Sequence, residues 1–197
     1  MVTLAPGVLK TFEIAATLAG IAYVILAARR NRLCWIIGAF SSALIAVLAG
    51  LSKLPMQSAL QVFFVAMSLY GWWSWTRSTQ QGELPVGAWP LGWHLGAALA
   101  ALLLSFLSAH WLAAETGDAW PLLDSLTTWF SLLATWLQAR AKIENWIYWI
   151  VIDGVLVFLF YVRDRPLLAL LNLLFIGIAV AGYVAWRRRF QAQAVPA

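Results

Sequence analysis

The sequence predicts an all-α integral membrane protein whose seven transmembrane helices fall into a 3+1+3 arrangement of parallel repeats. Three observations carry that expectation. The composition is too apolar for a soluble domain, seven apolar blocks are long enough to cross a bilayer, and a residue pattern recurs between the first three blocks and the last three. Of 197 residues, 63% are hydrophobic and 11% charged, against about 25% charged in an average soluble domain. Mean hydropathy is +0.81. Thirteen Trp, ten Phe and five Tyr exceed what an interfacial belt alone requires. The net charge of +5 does not point to nucleic acid, because the basic residues sit at the ends of apolar blocks and form no groove-reading motif. Cys34 is the only cysteine, so neither an intrachain disulfide nor a cysteine metal cluster is expected; it reads as a small apolar helix residue. No metal or cofactor is implied.

A hydrocarbon core needs roughly 20 residues of helix. The blocks that meet this run over 11–28, 33–51, 56–75, 89–113, 121–139, 144–162 and 166–186. The first is expected to be a retained helix and not a cleaved signal, since no small-residue cleavage site precedes Arg29. The connections are short, so sequence neighbours should pack antiparallel. The longest, Thr76 to Ala88, carries Arg77, Gln80, Gln81, Gly82, Glu83 and Pro85 and is expected to be solvated.

Arg29, Arg30, Arg32, Arg77, Arg140, Lys142, Arg187, Arg188 and Arg189 would lie on one side, and Lys10, Lys53, Arg163 and Arg165 on the other. The richer side is expected to be cytoplasmic, which puts the N-terminus outside and the C-terminus inside.

Asn31-x3-Trp35 opens the second span and Asn145-x3-Trp149 the sixth, each after a basic turn. Gly71-x3-Trp75 closes the third and Gly182-x3-Trp186 the seventh. The first pair is offset by 114 residues and the second by 111. A three-residue deletion in the turn between spans six and seven would account for the difference. The chain therefore divides into a first three-helix repeat (1–75), a solvated loop with a single linker helix (76–120), a second three-helix repeat (121–189) and a short polar tail (190–197). The linker span gives both repeats one orientation, and parallel repeats of this kind place a substrate site between them.

Steps of three and four residues keep to one helix face. Asp124, Thr128, Ser131, Thr135 and Gln138 follow such steps in span five. Gln57, Gln61, Phe64, Ser68, Trp72 and Trp75 do so in span three, Asn145, Trp149 and Asp153 in span six, and Asn172, Ile176, Ala179, Tyr183 and Trp186 in span seven. Polar stripes facing lipid would be costly, so these should turn inward.

Asp153 stands about 12 Å into the membrane from Asn145 at 1.5 Å per residue, where a charge costs roughly 2.5–3.5 kcal/mol. It is either the counter-charge of a cationic ligand or a structural acid, bonded to a neighbouring helix or kept protonated. Trp35, Trp72, Trp146 and Trp149 could stack on a flat ligand and attract its positive charge, while Trp75, Trp89 and Trp186 at span ends read as interfacial anchors. Gln61 is a directional donor and acceptor. His94 and His110 are about 24 Å apart along one helix, too far to share a metal, and both lie outside the repeats. The stripes suit a flat, polar, nucleoside-sized molecule, not a lipid, and they lack the ring of like charges of an ion pore.

Across nearly its whole length the chain resembles the PnuC-type vitamin transporters, most strongly in Ser58–Gln61 through Tyr70–Trp75, in Glu144–Trp149 through Asp153, and in Gly182-x3-Trp186. The resemblance implies a bundle similar to the full-length SWEET sugar transporters, a homotrimer in the bacterial inner membrane. It also implies facilitated diffusion made one-way by cytoplasmic phosphorylation of the substrate. It implies nicotinamide riboside as cargo, with thiamine, riboflavin or nucleosides carried by related branches. Residue by residue, it assigns ligand contacts to Gln61, Asn145, Trp146, Trp149 and Asp153, beside Gln57, Trp72 and Thr128 from the stripes. Pro55-Met56-Gln57-Ser58 departs from the Tyr-Ser-Asp run of the nicotinamide riboside branch, and Ser58–Gln61 with Tyr70–Trp75 is closer to the thiamine-type branch. Direct ATP drive is not expected, since no phosphate-binding glycine loop is present. An integral-membrane enzyme and a non-transporting membrane subunit are the remaining alternatives.

Overall fold

The computed structural model describes residues 6–51, 55–79, 84–116 and 120–193. Among them are seven helices: α1 (Pro6–Ala28), α2 (Leu33–Leu51), α3 (Pro55–Thr79), α4 (Leu91–Thr116), α5 (Pro121–Ala139), α6 (Asn145–Val162) and α7 (Pro166–Gln193). Proline opens α1, α3, α5 and α7, where its fixed φ suits the first turn and its missing N–H is no loss. Five helices, α1, α2, α4, α6 and α7, are long and apolar enough to cross a membrane. The exceptions are the two carrying the densest polar stripes, α3 and α5. Helix α7 runs on to Gln193, into the segment expected to be a polar tail.

The chain forms two compact units, Met1–Leu84 and Pro85–Ala197. In the first, α2 packs on both α1 and α3; in the second, α5 packs on α4 and α6, and α6 on α7. Short connections dictate this order of neighbours. Ser41 Oγ donates to the Ala16 carbonyl (2.8 Å) and Ser58 Oγ to that of Ala46 (3.0 Å), so α2 is tied by side chains to both its partners.

The turns α1–α2 and α5–α6 match bond for bond. Arg30 and Ala141 both adopt a left-handed backbone, with φ of 62° and 53°, at a cost of roughly 1 kcal/mol for a residue other than glycine. The Arg30 N–H donates to the Ala27 carbonyl and the Asn31 N–H to that of Leu26; the Ala141 N–H donates to Gln138 and the Lys142 N–H to Leu137. Every member of the second set lies 111 residues after its counterpart.

The packing beyond each turn matches in the same way. The Trp35 indole is fully buried over Gly71, with Trp75 edge-on at 5.3 Å between ring centroids. Trp146 is buried over Gly182, with Trp186 edge-on at 5.5 Å. Trp35 therefore corresponds to Trp146, and not to Trp149 as the Asn-x3-Trp matches suggested. A single offset of 111 then serves throughout, and the three-residue deletion is not needed. Trp75 and Trp186 are also not interfacial anchors. Each is buried, because the glycine one turn earlier lets the neighbouring indole approach the backbone and the second Trp closes over it.

The connection ahead of α4 is not a free solvated loop at its end. Val86 is buried. The Gly87 N–H donates to the Ala141 carbonyl (3.1 Å) and its carbonyl accepts the Ile143 N–H (2.9 Å), so this segment lies as a strap on the α5–α6 turn.

Candidate functional site

The polar stripes turn inward, as their cost in lipid requires. On α5, Ser125, Thr127, Ser131, Thr135 and Gln138 are buried; on α6, Asn145 and Asp153; on α7, Asn172; on α3, Gln61 and Ser68. Much of this polarity is satisfied within its own helix. Thr128 Oγ1 donates to the Asp124 carbonyl (2.8 Å), Thr135 Oγ1 to Ser131 (2.8 Å) and Asn172 Nδ2 to Leu168 (2.8 Å). Such back-bonding spends the hydroxyl proton, so Thr128 retains only acceptor capacity toward a ligand.

Helix α6 is where the candidate residues concentrate. Asn145, Trp149 and Asp153 follow one another by four residues and share a face. Asn145 is fully buried, donates through Nδ2 to the Lys142 carbonyl (2.6 Å), and has an Oδ1 with no partner. Trp149 is half-buried. Asp153 is 5% exposed, and among the described residues no hydrogen bond or ion pair reaches its carboxylate. A structural acid bonded to a neighbouring helix thus finds no partner among the described residues. The Gln138 Nε2 group is a further buried donor without a partner. Orphaned buried polar atoms cost roughly 1–3 kcal/mol each and are compatible with a ligand or ordered water that completes them.

The 111-residue offset shows what distinguishes this face. Asn145, Trp149 and Asp153 correspond to Cys34, Gly38 and Ser42. The first unit therefore carries small residues where the second carries an amide, an indole and an acid. At Gly38 a Cβ would fall 2.8 Å from the Tyr23 ring, so Tyr23 fills that place. The residue corresponding to Tyr23 is Ala134, so the large–small pair of the first unit is reversed in the second, with Trp149 at the glycine's position.

The remaining expected residues are distributed as follows. Gln61 is buried on α3 and corresponds to the buried Asn172 of α7. Trp72 is half-buried on α3 with the Arg32 guanidinium 5.6 Å above its ring, so one aromatic face already holds a cation. The Gln57 side chain lies outside the described residues. Trp146, like Trp35, is walled in by its Gly–Trp clamp and offers no face for stacking. Asp124 is held by Arg163 in a two-bond ion pair at 2.5 and 3.2 Å.

An apolar groove of about 460 Å³ runs along α6 and α7 past Gly154, Phe158, Tyr161 and Leu170. It contains none of the stripe residues, and its one polar side chain is that of the exposed Tyr161, so the stripe remains the better candidate. Sequence reasoning missed a cluster at the start of α4 and α6. His94 Nδ1 lies 3.0 Å from the Tyr148 hydroxyl, and Glu144 Oε1 accepts the Trp89 N–H at 2.9 Å. The Glu144-x3-Tyr148 spacing was its only trace in the sequence.

Residues 10–188 match the family described as nicotinamide mononucleotide transporter. The chain is 26% identical over 205 aligned residues to the nicotinamide riboside transporter PnuC of Escherichia coli K12, covering 90% of this chain and 85% of that one. It is 27% identical over 155 residues to the riboflavin/roseoflavin transporter RibM of Streptomyces davaonensis, covering 73% and 68%. A crystal structure described as that of the vitamin B3 transporter PnuC superposes with a TM-score of 0.73 at 22% identity, over 91% of this chain and 82% of that one; at that identity the likeness speaks to the fold. A family match of this extent, over helices long and apolar enough to cross a membrane several times, makes the chain a multi-pass membrane transporter and not an enzyme: it belongs to the nicotinamide mononucleotide transporter family.

Proposed function

We propose that this protein carries nicotinamide riboside across the bacterial inner membrane by facilitated diffusion. The observation that carries the reading is the 26% identity to the nicotinamide riboside transporter along 90% of the chain. The thiamine alternative, drawn from Ser58–Gln61 and the Trp-rich end of α3, is not favoured by these relatives. Riboflavin is the second reading, on the likeness to RibM.

In this reading the α6 face binds the cargo. Trp149 stacks on the flat ring and Asp153 stands as counter-charge to its cationic nitrogen. Asn145 and Gln61 fix hydroxyl or amide groups, with Thr128 as an acceptor and Trp72 and Gln57 as further contributors. Support comes from a buried acid and an unpartnered amide oxygen on one helix face, at positions that are small in the matching unit. The same reading takes all seven helices as spans in a 3+1+3 arrangement of parallel repeats, with the domain limits 1–75, 76–120, 121–189 and 190–197. The bond-for-bond match of the two turns and the two Gly–Trp clamps supports it. It further holds that three copies assemble and that the N-terminus faces outward, as the distribution of Arg and Lys suggests.

Calorimetric titration of the purified protein with nicotinamide riboside, riboflavin and thiamine in parallel is the test. Saturable binding of nicotinamide riboside alone is expected. Binding of riboflavin alone would move the protein to the second reading, and thiamine binding would reinstate the local motif as the guide to cargo.

A further inference from the structure

Side chains of α4 and α6 meet at a half-buried polar cluster that the ligand face does not use. His94 stands in the first turn of α4. Glu144 immediately precedes α6, and Tyr148 follows it by one turn on the same face. His94 Nδ1 is 3.0 Å from the Tyr148 hydroxyl, and Nε2 is 3.7 Å from Glu144 Oε1. Aromatic rings enclose them: Trp89 lies 5.3 Å from the His94 ring and 5.0 Å from Trp136, and Phe130 stacks on Tyr148 at 6.1 Å.

The proton inventory decides how the cluster is wired. A neutral imidazole has one N–H and one lone pair. Placing the proton on Nδ1 would point the Nε2 lone pair at a carboxylate. Placing it on Nε2, with the tyrosine hydroxyl donating to Nδ1, makes both contacts attractive. Yet 3.7 Å is too long for a hydrogen bond. His94 Nε2 and Glu144 Oε2 are both sealed from solvent with no partner. A donor and a carboxylate thus face each other across a gap that a shift of about 1 Å would close to hydrogen-bond length. The oxygen nearest His94, Oε1, already accepts the Trp89 N–H at 2.9 Å, which holds the carboxylate in place and leaves Oε2 as its unpartnered atom. The next residue in the chain is Asn145, and one turn further is Trp149.

We propose that His94, Glu144 and Tyr148 are positioning residues for transport: a latch between α4 and the start of α6, open in this structure, whose closure displaces the ligand-bearing face of α6. The proposal rests on the reading that α6 binds the cargo. It assigns the three residues to the rate at which bound cargo is moved and not to its affinity, because none of them lies on the Asn145–Trp149–Asp153 face. A half-buried pair with a sealed, unpartnered atom on each side chain favours a second arrangement in which that capacity is met, and a carrier alternates between two arrangements.

The test uses the protein reconstituted in liposomes, with nicotinamide riboside as the probe, calorimetry for affinity and melting temperature as the check on folding. Glu144→Gln keeps the size and the acceptor for Trp89, and Tyr148→Phe keeps the stacking on Phe130. Each is expected to hold the dissociation constant within about twofold while lowering maximal uptake about fivefold. Combining either with His94→Gln should add little, as for residues acting through one network. Unchanged maximal uptake in both single variants overturns the latch. A fall in affinity that matches the fall in uptake also overturns it, by making these residues ligand contacts, and so does a loss of uptake that only tracks a lowered melting temperature. If Glu144→Gln does not fold, Tyr148→Phe decides alone. Trp149→Ala measured alongside keeps the two ideas separate: retained binding there defeats the α6 ligand reading, whatever the latch variants do.

Discussion

Trp35 lies against Gly71 so closely that a methyl group on the glycine would sit 2.4 Å from the indole carbons. Trp146 stands in the same relation to Gly182, at 2.8 Å. Helix–helix contact inside a membrane draws little on hydrophobic transfer and depends on close packing, which favours small residues at the contact. Here the small residue admits a whole indole, and each clamp fixes the second helix of its triad against the third.

Gly71→Ala and Gly182→Ala should therefore both destabilise the protein, by about 1–3 kcal/mol as expected of overpacking, with Gly71→Ala the more severe. Melting temperature in detergent measures this. Gly154→Ala is the control: its added Cβ meets nothing within 4 Å, and it should leave the melting temperature unchanged. Equal effects at all three positions would show that the clamps do not govern stability.

Trp149→Ala should abolish measurable nicotinamide riboside binding while the melting temperature of the unliganded protein stays near that of the parent. Stacking with a cationic ring contributes roughly 0.5–2 kcal/mol, and the lost contact area adds to it. Trp146→Ala should do the reverse, lowering the melting temperature first, since its indole is spent on Gly182 and Trp186.

Asp153→Asn separates the two candidate cargoes. The variant keeps the shape and removes the charge, so affinity for the cationic nicotinamide riboside should fall about tenfold or more, as for loss of a charge partner in a low-dielectric site. Affinity for uncharged riboflavin should change little. Parallel titrations measure both, and an equal loss for the two ligands would remove Asp153 from the role of counter-charge.

Asp124→Asn should leave uptake unaltered. Its carboxylate is engaged by Arg163, and both side chains are about one-third exposed, at 29% and 34%. Solvent screening limits such a pair to roughly 0.2–1 kcal/mol of stability. Abolished uptake in a folded variant would instead give Asp124 a part in transport.

Helices and polar stripes were legible in the sequence because each depends on local order: apolar run length, proline at first turns, and steps of three and four. The candidate face of α6 was legible for the same reason, since Asn145, Trp149 and Asp153 lie on one helix and their spacing needs no knowledge of the neighbours. The correspondence between the units was only half legible. Asn31-x3-Trp35 and Asn145-x3-Trp149 match as strings, but which tryptophan fills the notch over a glycine depends on the rotation of one helix against the next.

What the sequence determined by itself was thus a multi-pass helical transporter with its polar groups turned inward, because the cost of exposing them to lipid acts on each helix separately. The tertiary structure alone decided which tryptophans are spent on packing. It buried Trp35, Trp75, Trp146 and Trp186 in two clamps and left Trp149 half-exposed. It also joined His94 to Glu144 and Tyr148, some fifty residues away along the chain. Those outcomes depend on the apposition of surfaces distant in sequence, where one methyl group more or less decides whether two helices can meet.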